Sequence, residues 1–415
     1  MTSIPSTDVP RIAVIGGGAA GLMAAGYAAE LGAHVTVFEH MPKTALKLGI
    51  TGKGRCNVTN NCTEEEFLSE VVTNPRFLFS AIHRFSPSDT VSFFESHGVP
   101  LKTERGRRVF PASDKASDIV RALRDYAGSA TVVHEKVTAI ASENSHITGV
   151  VTNRFLPFDT VVLATGGASY PRTGSDGSGY RLATALGHTL TPLTPSLVPL
   201  ESHDPVCLAM QGVSLKNVSI EIRTGGKTVY RDFGEMLFAH FGVSGPTILS
   251  ASAHMRKCNF ANTVLVIDFK PALDEQKLEA RLLADFRANA NKDFISELGL
   301  LLPQKMLLPF AQRICIDPHK KVHDITKEER LALRRALKSF EIPICGFRPL
   351  EDAIVTAGGI SVKEIKPNTM ESKLVGGLYF AGEILDLDAY TGGYNLQIAF
   401  STARLAAEHA VLQSR

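Results

Sequence analysis

The chain has 415 residues, too many for one ordinary compact unit, so two or three domains with ample core are expected. Its 44% hydrophobic and 21% charged residues exclude a disordered chain. A net charge of +2 argues against nucleic acid or an anionic membrane surface as a dedicated partner, since such binders carry a basic stripe; Arg105-Gly106-Arg107-Arg108 is either a local basic patch or, as the more ordinary reading, a solvated turn.

Met1 to Pro10 is polar and lacks the basic-then-apolar pattern of a signal peptide. Arg11 to Ile15 is a short β-branched run that ends in glycines. A small-residue helix, Gly21 to Leu31, and a second strand, His34 to Glu39, follow it. This βαβ unit implies a parallel sheet. Ile12 to Ala33 resembles a membrane span in hydropathy, but its six glycines fit strand, turn and helix, and no membrane span is expected. Lys47 to Asn61, rich in Gly, Thr and Asn, reads as a loop, and loops of that length are usually functional or mobile. Phe67 to Gly128 reads as helices broken at prolines and at the Gly/Arg segment. Thr131 to Val137, Ile147 to Val151 and Phe158 to Ala164 read as strands, with Val137 closing a hairpin-like element.

The character changes at Pro192, Pro195 and Pro199. Leu215 to Tyr230 alternates around Thr224-Gly225-Gly226-Lys227 like a β-hairpin, and Thr263 to Phe269 adds a strand. Residues 273–340 have helical spacing, as in Leu278, Leu282 and Phe286. A last strand, Gly377 to Ala381, leads into a helix from about Asn395 to Leu412. The fold class expected is α/β: a discontinuous Rossmann-like domain built from residues 1–192 and 357–415. Its insert holds a β subdomain (193–272), a helical subdomain (273–340) and a return segment (341–356). Six scattered cysteines form no CxxC pair, which with the polar N-terminus suggests a reducing, cytoplasmic setting.

Gly16-Gly17-Gly18-Ala19-Ala20-Gly21 matches G-x-G-x-x-G in the strand–helix context the motif needs. Gly16 permits the tight turn, Gly18 lets a pyrophosphate approach the backbone, and Gly21 lets helix and sheet pack closely. The helix N-terminus favours the phosphate charge. Glu39 ends the second strand, where a carboxylate accepts both hydroxyls of an unphosphorylated adenosine ribose. The fingerprint alone allows NAD as readily as FAD. Two further strand ends, Ala164-Thr165-Gly166-Gly167 and Ala381-Gly382-Glu383, converge on the same crevice and suit the longer FAD. Asn395, preceded by Gly392-Gly393-Tyr394, opens a helix whose N-terminus would face the flavin edge that becomes negative on reduction.

Three stretches carry a family resemblance: Thr51-Gly52-Lys53-Gly54-Arg55-Cys56-Asn57-Val58-Thr59-Asn60, Ala164 to Pro171, and Tyr379 to Glu383 with Tyr390 to Gln397. With Phe241-Gly242-Val243-Ser244-Gly245-Pro246 they make the chain resemble, nearly end to end, the BaiN/YhiN family of flavoproteins, some of which are named aminoacetone oxidases. The resemblance implies a glutathione-reductase/fumarate-reductase type FAD domain with an inserted β-barrel-like subdomain and a helical one. It implies that Gly16, Gly18, Ala19, Ala20 and Gly21 hold the pyrophosphate and Glu39 the adenosine ribose. Val137 would meet adenine through its backbone. Thr51, Gly52, Arg55, Cys56 and Asn57 would line the phosphate and ribityl region with Thr165, Gly166 and Gly167. Gly382, Glu383, Gly393, Asn395 and Leu396 would serve the ribityl and flavin end.

No catalytic acid or base can be singled out. Tyr170, Tyr390 and Tyr394 stand in glycine-rich loops, where they line a substrate pocket or pack as aromatics, and His240 precedes Phe241 in the insert. Cys56 and Cys62 are spaced more widely than the CxxxxC of a redox-active flavin disulfide, so Cys56 reads as a loop thiol. No metal cluster and no Ser-His-Asp order is visible. The absence of a second G-x-G-x-x-G excludes a separate NAD(P)H domain and leaves transient NAD(P)H binding at the flavin, or oxygen, as redox partner. The expected activity is oxidation or reduction of a small organic substrate, with no stable protein partner. The alternative is a flavin-dependent redox sensor that meets a partner through the helical insert, with its clusters His319-Lys320-Lys321 and Arg334-Arg335.

Overall fold

A computed structural model describes residues 9–414; the reading of the N-terminal stretch as signal-free falls, up to residue 8, outside them. The chain divides into two compact units, Met1–Pro195 with Ala353–Arg415, and Ser196–Asp352.

The first unit is built on a five-stranded parallel sheet. Its strands are β1 (Arg11–Ile15), β2 (His34–Phe38), β3 (Thr131–Val133), β4 (Thr160–Leu163) and β5 (Leu378–Phe380), in the order β5-β4-β1-β2-β3. Every residue of β4 and β5 is buried, as a sheet covered on both faces requires. Helix α1 (Ala19–Glu30) is almost all Ala and Gly on its packed side, which lets it approach the sheet and the long helix α4 (Tyr394–Gln413) closely. Helices α2 (Leu46–Gly54) and α3 (Ser178–Ala185) follow β2 and β4. The two ends of the chain are cross-linked inside this unit. Thr59 Oγ1 donates to Gln397 Oε1 at 2.6 Å, while Gln397 Nε2 and Ser401 Oγ donate to the Phe85 carbonyl at 3.0 and 2.6 Å.

Three sequence expectations change here. Leu46 to Ile50 is helical rather than loop, and the helix breaks at Thr51, Gly52 and Lys53, whose ψ of 147° and φ of 56° and 59° leave the α region. Within the supposed all-helical stretch 67–128, Leu101–Glu104 and Arg108–Pro111 are strands that form a three-stranded antiparallel sheet with Thr59–Asn60. The charged Lys-Thr-Glu-Arg-Gly-Arg-Arg run hid their alternation. The strand beginning at Thr131 stops at Val133, so Val137 lies beyond it, buried, in the connection to the hairpin of Ala139–Glu143 with His146–Val151.

The second unit is a seven-stranded antiparallel sheet with helices. Its core hairpin, Ser214–Thr224 with Lys227–Ala239, turns at Gly225 and Gly226, both with positive φ as a primed turn needs. The outermost strands of that sheet, Phe340–Pro343 and Gly346–Phe347, are separated only by Ile344 and Cys345. The chain therefore passes directly from one edge of the sheet to the other. Helices Glu275–Ala288 and Lys327–Lys338 bury Leu278, Leu282, Phe286, Leu333 and Leu337. The basic clusters here are largely neutralised in place: Lys320 pairs with Glu329 at 2.8 Å, Lys321 with Asp293 at 2.7 Å, and Arg334 with Glu275 at 3.4 Å.

Candidate functional site

The parallel strands end together at one edge, and backbone hydrogen bonds lock their exits. Gly16 N–H donates to Phe38 O, Glu39 N–H to Val133 O, Ala164 N–H to Ile15 O, and Ala381 N–H to Leu163 O, all within 3.1 Å. Gly16, Glu39, Thr165 to Gly167, and Gly382 with Glu383 thus share one crevice at the carboxyl ends of the strands, where open α/β sheets bind ligands.

The glycine turn is fitted tightly except at one point. A Cβ on Gly16 (φ 103°) would stand 2.6 Å from the Ala164 carbonyl oxygen, and one on Gly21 would stand 1.8 Å from that of Gly16. At Gly18 nothing lies within 4 Å of the same position. Gly18 is also the N-cap of α1 and gives it no side-chain hydrogen bond, so the N–H groups of the first turn have no capping side chain. Beside them Glu39, 8% exposed, accepts from Gly17 N–H at 3.0 Å and Met41 N–H at 2.8 Å. Two backbone donors fix the carboxylate and leave it lone pairs for further hydroxyls.

Glu383 belongs to a cluster that spans the chain. Lys47 Nζ, on α2, donates to its two oxygens at 2.8 and 3.1 Å and to Ser169 Oγ at 2.8 Å. Thr356 N–H donates to Glu383 Oε1 at 2.8 Å, and Thr356 Oγ1 accepts from Ala168 N–H at 2.9 Å. A Cβ on Gly167 would stand 3.1 Å from Glu383 Oε1. Lys47 and Thr356 escaped the sequence reading, because no spacing links a single lysine to an acid 336 residues away.

The loop after α2 is held in unusual backbone conformations, with φ near +60° at Lys53 and Cys56. Cys56 is fully buried, and burial pushes its thiol up to about 12, which leaves it a poor nucleophile. Cys56 and Cys62 are both free thiols. Thr51 Oγ1 donates to Leu48 O at 2.7 Å and so caps the kink. Arg55 turns away to Glu104 and Asp114, each at 2.5 Å. Asn57 Oδ1 and Thr165 Oγ1 are buried without a partner.

At the start of α4 the cap is Gly393 (φ 97°), again without a side-chain bond and with no acid in the first turn. A Cβ there would stand 2.4 Å from the Thr59 carbonyl, which brings α4 against the 51–60 loop. The Asn395 amide is spent on the preceding loop: Oδ1 accepts from Ala389 N–H at 3.0 Å and Nδ2 donates to Ala389 O at 2.8 Å. What Asn395 and Leu396 offer a ligand is their N–H groups, not a side-chain amide. Tyr394 packs on Phe67 with ring centroids 5.6 Å apart, and burial raises its phenol well above the usual range. It belongs to the core. In the other unit His240 stacks edge-on against Phe241 at 4.9 Å.

These residues fit a flavin dinucleotide. Two glycine-capped helix N-termini supply anion-friendly ends, Gly18 leaves open room, and Asn57 and Thr165 hold unsatisfied acceptor atoms. Among the described residues no group of His, Cys, Asp and Glu could hold a metal ion, and no helix is long and apolar enough to cross a membrane.

Comparison with known proteins extends this. Over 404 residues the chain is 30% identical to the ribosomal RNA dihydrouridine synthase of Escherichia coli strain K12, covering 96% of this chain and 97% of that protein. Over 408 residues it is 30% identical to the 3-dehydro-bile acid delta(4,6)-reductase of Clostridium scindens, covering 96% and 98%. Among solved structures, the 3-ketosteroid-delta4-(5alpha)-dehydrogenase of Rhodococcus jostii RHA1 is 15% identical and superposes with a TM-score of 0.51 over 98% of both chains, which is a likeness of fold. The HI0933-like protein Rossmann domain family matches residues 10–409. The chain belongs to that family, and it is an oxidoreductase of the flavin-dependent class.

Proposed function

We infer that the chain is an FAD-dependent reductase that saturates a carbon–carbon double bond conjugated to a carbonyl in a small organic substrate. The observation that carries this reading is the pair of glycine-capped helix N-termini, α1 and α4, with the Glu39 and Glu383 carboxylates at the adjoining strand ends. Bound FAD supplies the ring that exchanges hydride with the substrate. The chain supplies the rest. The first turn of α1 binds the pyrophosphate, and open space at Gly18 admits it. Glu39 accepts the adenosine ribose hydroxyls, Lys47 and Ser169 aim Glu383 at the ribityl chain, and the positive end of α4 faces the edge where charge builds on reduction.

The names of the two relatives support the same bond chemistry. Dihydrouridine is uridine whose ring double bond, conjugated to a carbonyl, has been saturated. A delta(4,6)-reductase acting on a 3-dehydro bile acid saturates bonds conjugated to a ketone. The first name also brings RNA back as a substrate, against the expectation drawn from net charge. The electron donor in this reading is NAD(P)H bound transiently, because the sequence has no second G-x-G-x-x-G.

Anaerobic stopped-flow mixing tests the reading. NADH or NADPH should bleach the visible flavin band of the holoprotein, and a conjugated enone or a uridine substrate should restore it. A purified protein that neither retains nor rebinds FAD would sink the proposal. So would a reduced flavin that only oxygen reoxidises.

A further inference from the structure

Of the 13 histidines, His188 alone is buried among the described residues. It follows α3 and bridges two stretches of the segment that returns the chain to the first unit. Nε2 meets Ser372 Oγ at 2.9 Å, and Nδ1 stands 3.3 Å from Glu364 Oε2, within ion-pair reach but off the line of a hydrogen bond. The hydrogen bonds around the ring fix its proton. Ser372 Oγ already accepts from the N–H groups of Leu374 and Val375, both at 2.9 Å, which fills its two lone pairs. Its hydroxyl proton therefore goes to Nε2, and the imidazole proton is assigned to Nδ1, facing Glu364. Glu364 is itself anchored on Thr189, whose N–H donates to it at 2.8 Å and whose Oγ1 donates at 2.6 Å. Ser, His and Glu stand here in the order of a nucleophilic triad, but Ser372 is 2% exposed, which closes its hydroxyl to a substrate.

These contacts bracket Glu383 along the chain. Ahead of it, Ser372 N–H donates to Leu378 O at 2.8 Å and Phe380 N–H to Met370 O at 3.0 Å, so 370–372 lines the outer edge of β5. The His188 ring packs edge-on against Phe380 at 4.9 Å. After Glu383, Ile360 N–H donates to Ile384 O at 2.9 Å and Asp386 N–H to Ile360 O at 3.0 Å; the turn Val362–Glu364 follows and carries Glu364. His188 thus ties the stretch that holds the chain before Glu383 to the stretch that holds it afterwards. A second ring proton upsets this arrangement. Nε2–H then points at an oxygen with no free lone pair, the Ser372 hydroxyl loses its acceptor, and a bond from Leu374 or Val375 N–H must open. Glu364 is the charged group that faces the ring. Ser372 and Phe380 carry no charge, Glu371 is taken by Lys366 at 2.7 Å, and Lys373 turns to the Lys363 carbonyl at 2.8 Å. Burial outweighs Glu364 and holds the imidazole below its usual value, so the charged ring favours the opened turn. Stability from these contacts is therefore present above about pH 6.5 and is lost as the pH falls below it.

We propose that His188 is a positioning residue that acts as an acid-sensitive latch: with Ser372 and Glu364 it holds the strand end carrying Glu383 at neutral pH and releases it on acidification. The latch stands on the protein alone. Its consequence, faster loss of FAD in acid, rests on the flavin reading.

Hydrogen exchange of the full chain without FAD tests the latch over 370–386, at about pH 7.5 and about pH 5.5, one unit either side of the free imidazole value. After correction for intrinsic exchange, wild-type protection should fall about three- to tenfold between them, since one proton shifts the balance by at most about tenfold per pH unit. His188→Gln, a neutral side chain that can still accept from Ser372, should show the same protection at both. Glu364→Gln removes the anion that favours the charged ring, so its fall should deepen towards the full tenfold; this comparison serves if His188→Gln fails to fold. NMR of ring-15N histidine should place the His188 proton on Nδ1. Flat protection in the wild type overturns the latch, as does an equal fall in His188→Gln, no deepening in Glu364→Gln, or a proton on Nε2. FAD release from the loaded protein, followed by flavin fluorescence, should quicken by the same ratio in the wild type and not in His188→Gln. If protection falls as expected while FAD release does not quicken, the latch stands and the placement of FAD at Glu383 fails.

Discussion

Glu383 can serve a ligand only if its carboxylate is held still, and Lys47 does most of the holding. The two side chains are each 21% exposed, sheltered enough for the pair to outweigh an open surface contact. Lys47→Met removes three of the hydrogen bonds in the cluster and leaves Ser169 and the Thr356 N–H to orient the acid. FAD affinity should fall about tenfold, or about 1.4 kcal/mol, by titration of the apoprotein with FAD, and Lys47→Arg should recover part of it. An unchanged Kd in Lys47→Met would remove the lysine from the cofactor site. The residues on this side of the site differ in legibility for a physical reason. Glu39 and Glu383 follow hydrophobic strands and could be read from sequence, because a strand end places its next residue predictably. Lys47 and Thr356 reach the site through tertiary folding alone. Asn395 was legible as a helix-start residue, but its amide folds back onto Ala389.

At the scale of the first strand–turn–helix element, the two outer glycines of G-x-G do separable work. A Cβ on Gly16 would collide with backbone of the neighbouring strand exit, at 2.6 Å, in a conformation that side chains adopt only with strain. A Cβ on Gly18 meets no protein atom within 4 Å. Gly16→Ala should therefore lower the melting temperature of the apoprotein, at a cost of about 1–3 kcal/mol. Gly18→Ala should leave apoprotein melting unchanged while weakening FAD binding, because the methyl group fills the approach of the pyrophosphate. Calorimetry with and without FAD separates the two effects. A Gly18→Ala protein that binds FAD like wild type would contradict the assignment of that space. This element was fully legible in the sequence, since strand, glycines, helix and acid all lie within one short stretch. The strands Leu101–Glu104 and Arg108–Pro111 were not. Leu101–Glu104 pairs with Arg108–Pro111, whose other partner, Thr59–Asn60, is distant in sequence, and their exposed face is charged rather than alternating.

For the molecule as a whole, the parallel-sheet unit is assembled from both ends of the chain, and its strand ends converge on the proposed cofactor site. Thr73 Oγ1 donates to Asp388 at 2.5 Å and Gln397 bridges Thr59 to Phe85, so side-chain hydrogen bonds join the two chain segments. The 51–60 loop holds Lys53 and Cys56 at positive φ, a conformation that costs energy unless its surroundings enforce it. Ser196–Asp352 has its own core, around residues such as Phe238, Phe294 and Phe310, and none of the segments proposed to bind the dinucleotide. Ligand free energy should therefore enter the two units unequally. With FAD present at about 100 times its Kd, binding contributes about 2.7 kcal/mol to the state that holds it. Stripping FAD should raise amide hydrogen exchange in 16–21, 47–61, 164–177 and 382–396 and leave the Ser214–Thr224 and Lys227–Ala239 hairpin protected as before. Hydrogen-exchange mass spectrometry of apo and holo protein measures this directly. Equal deprotection of both units would mean that the insert depends on the cofactor as much as the parallel sheet does. No change in either would mean that FAD does not bind at these strand ends.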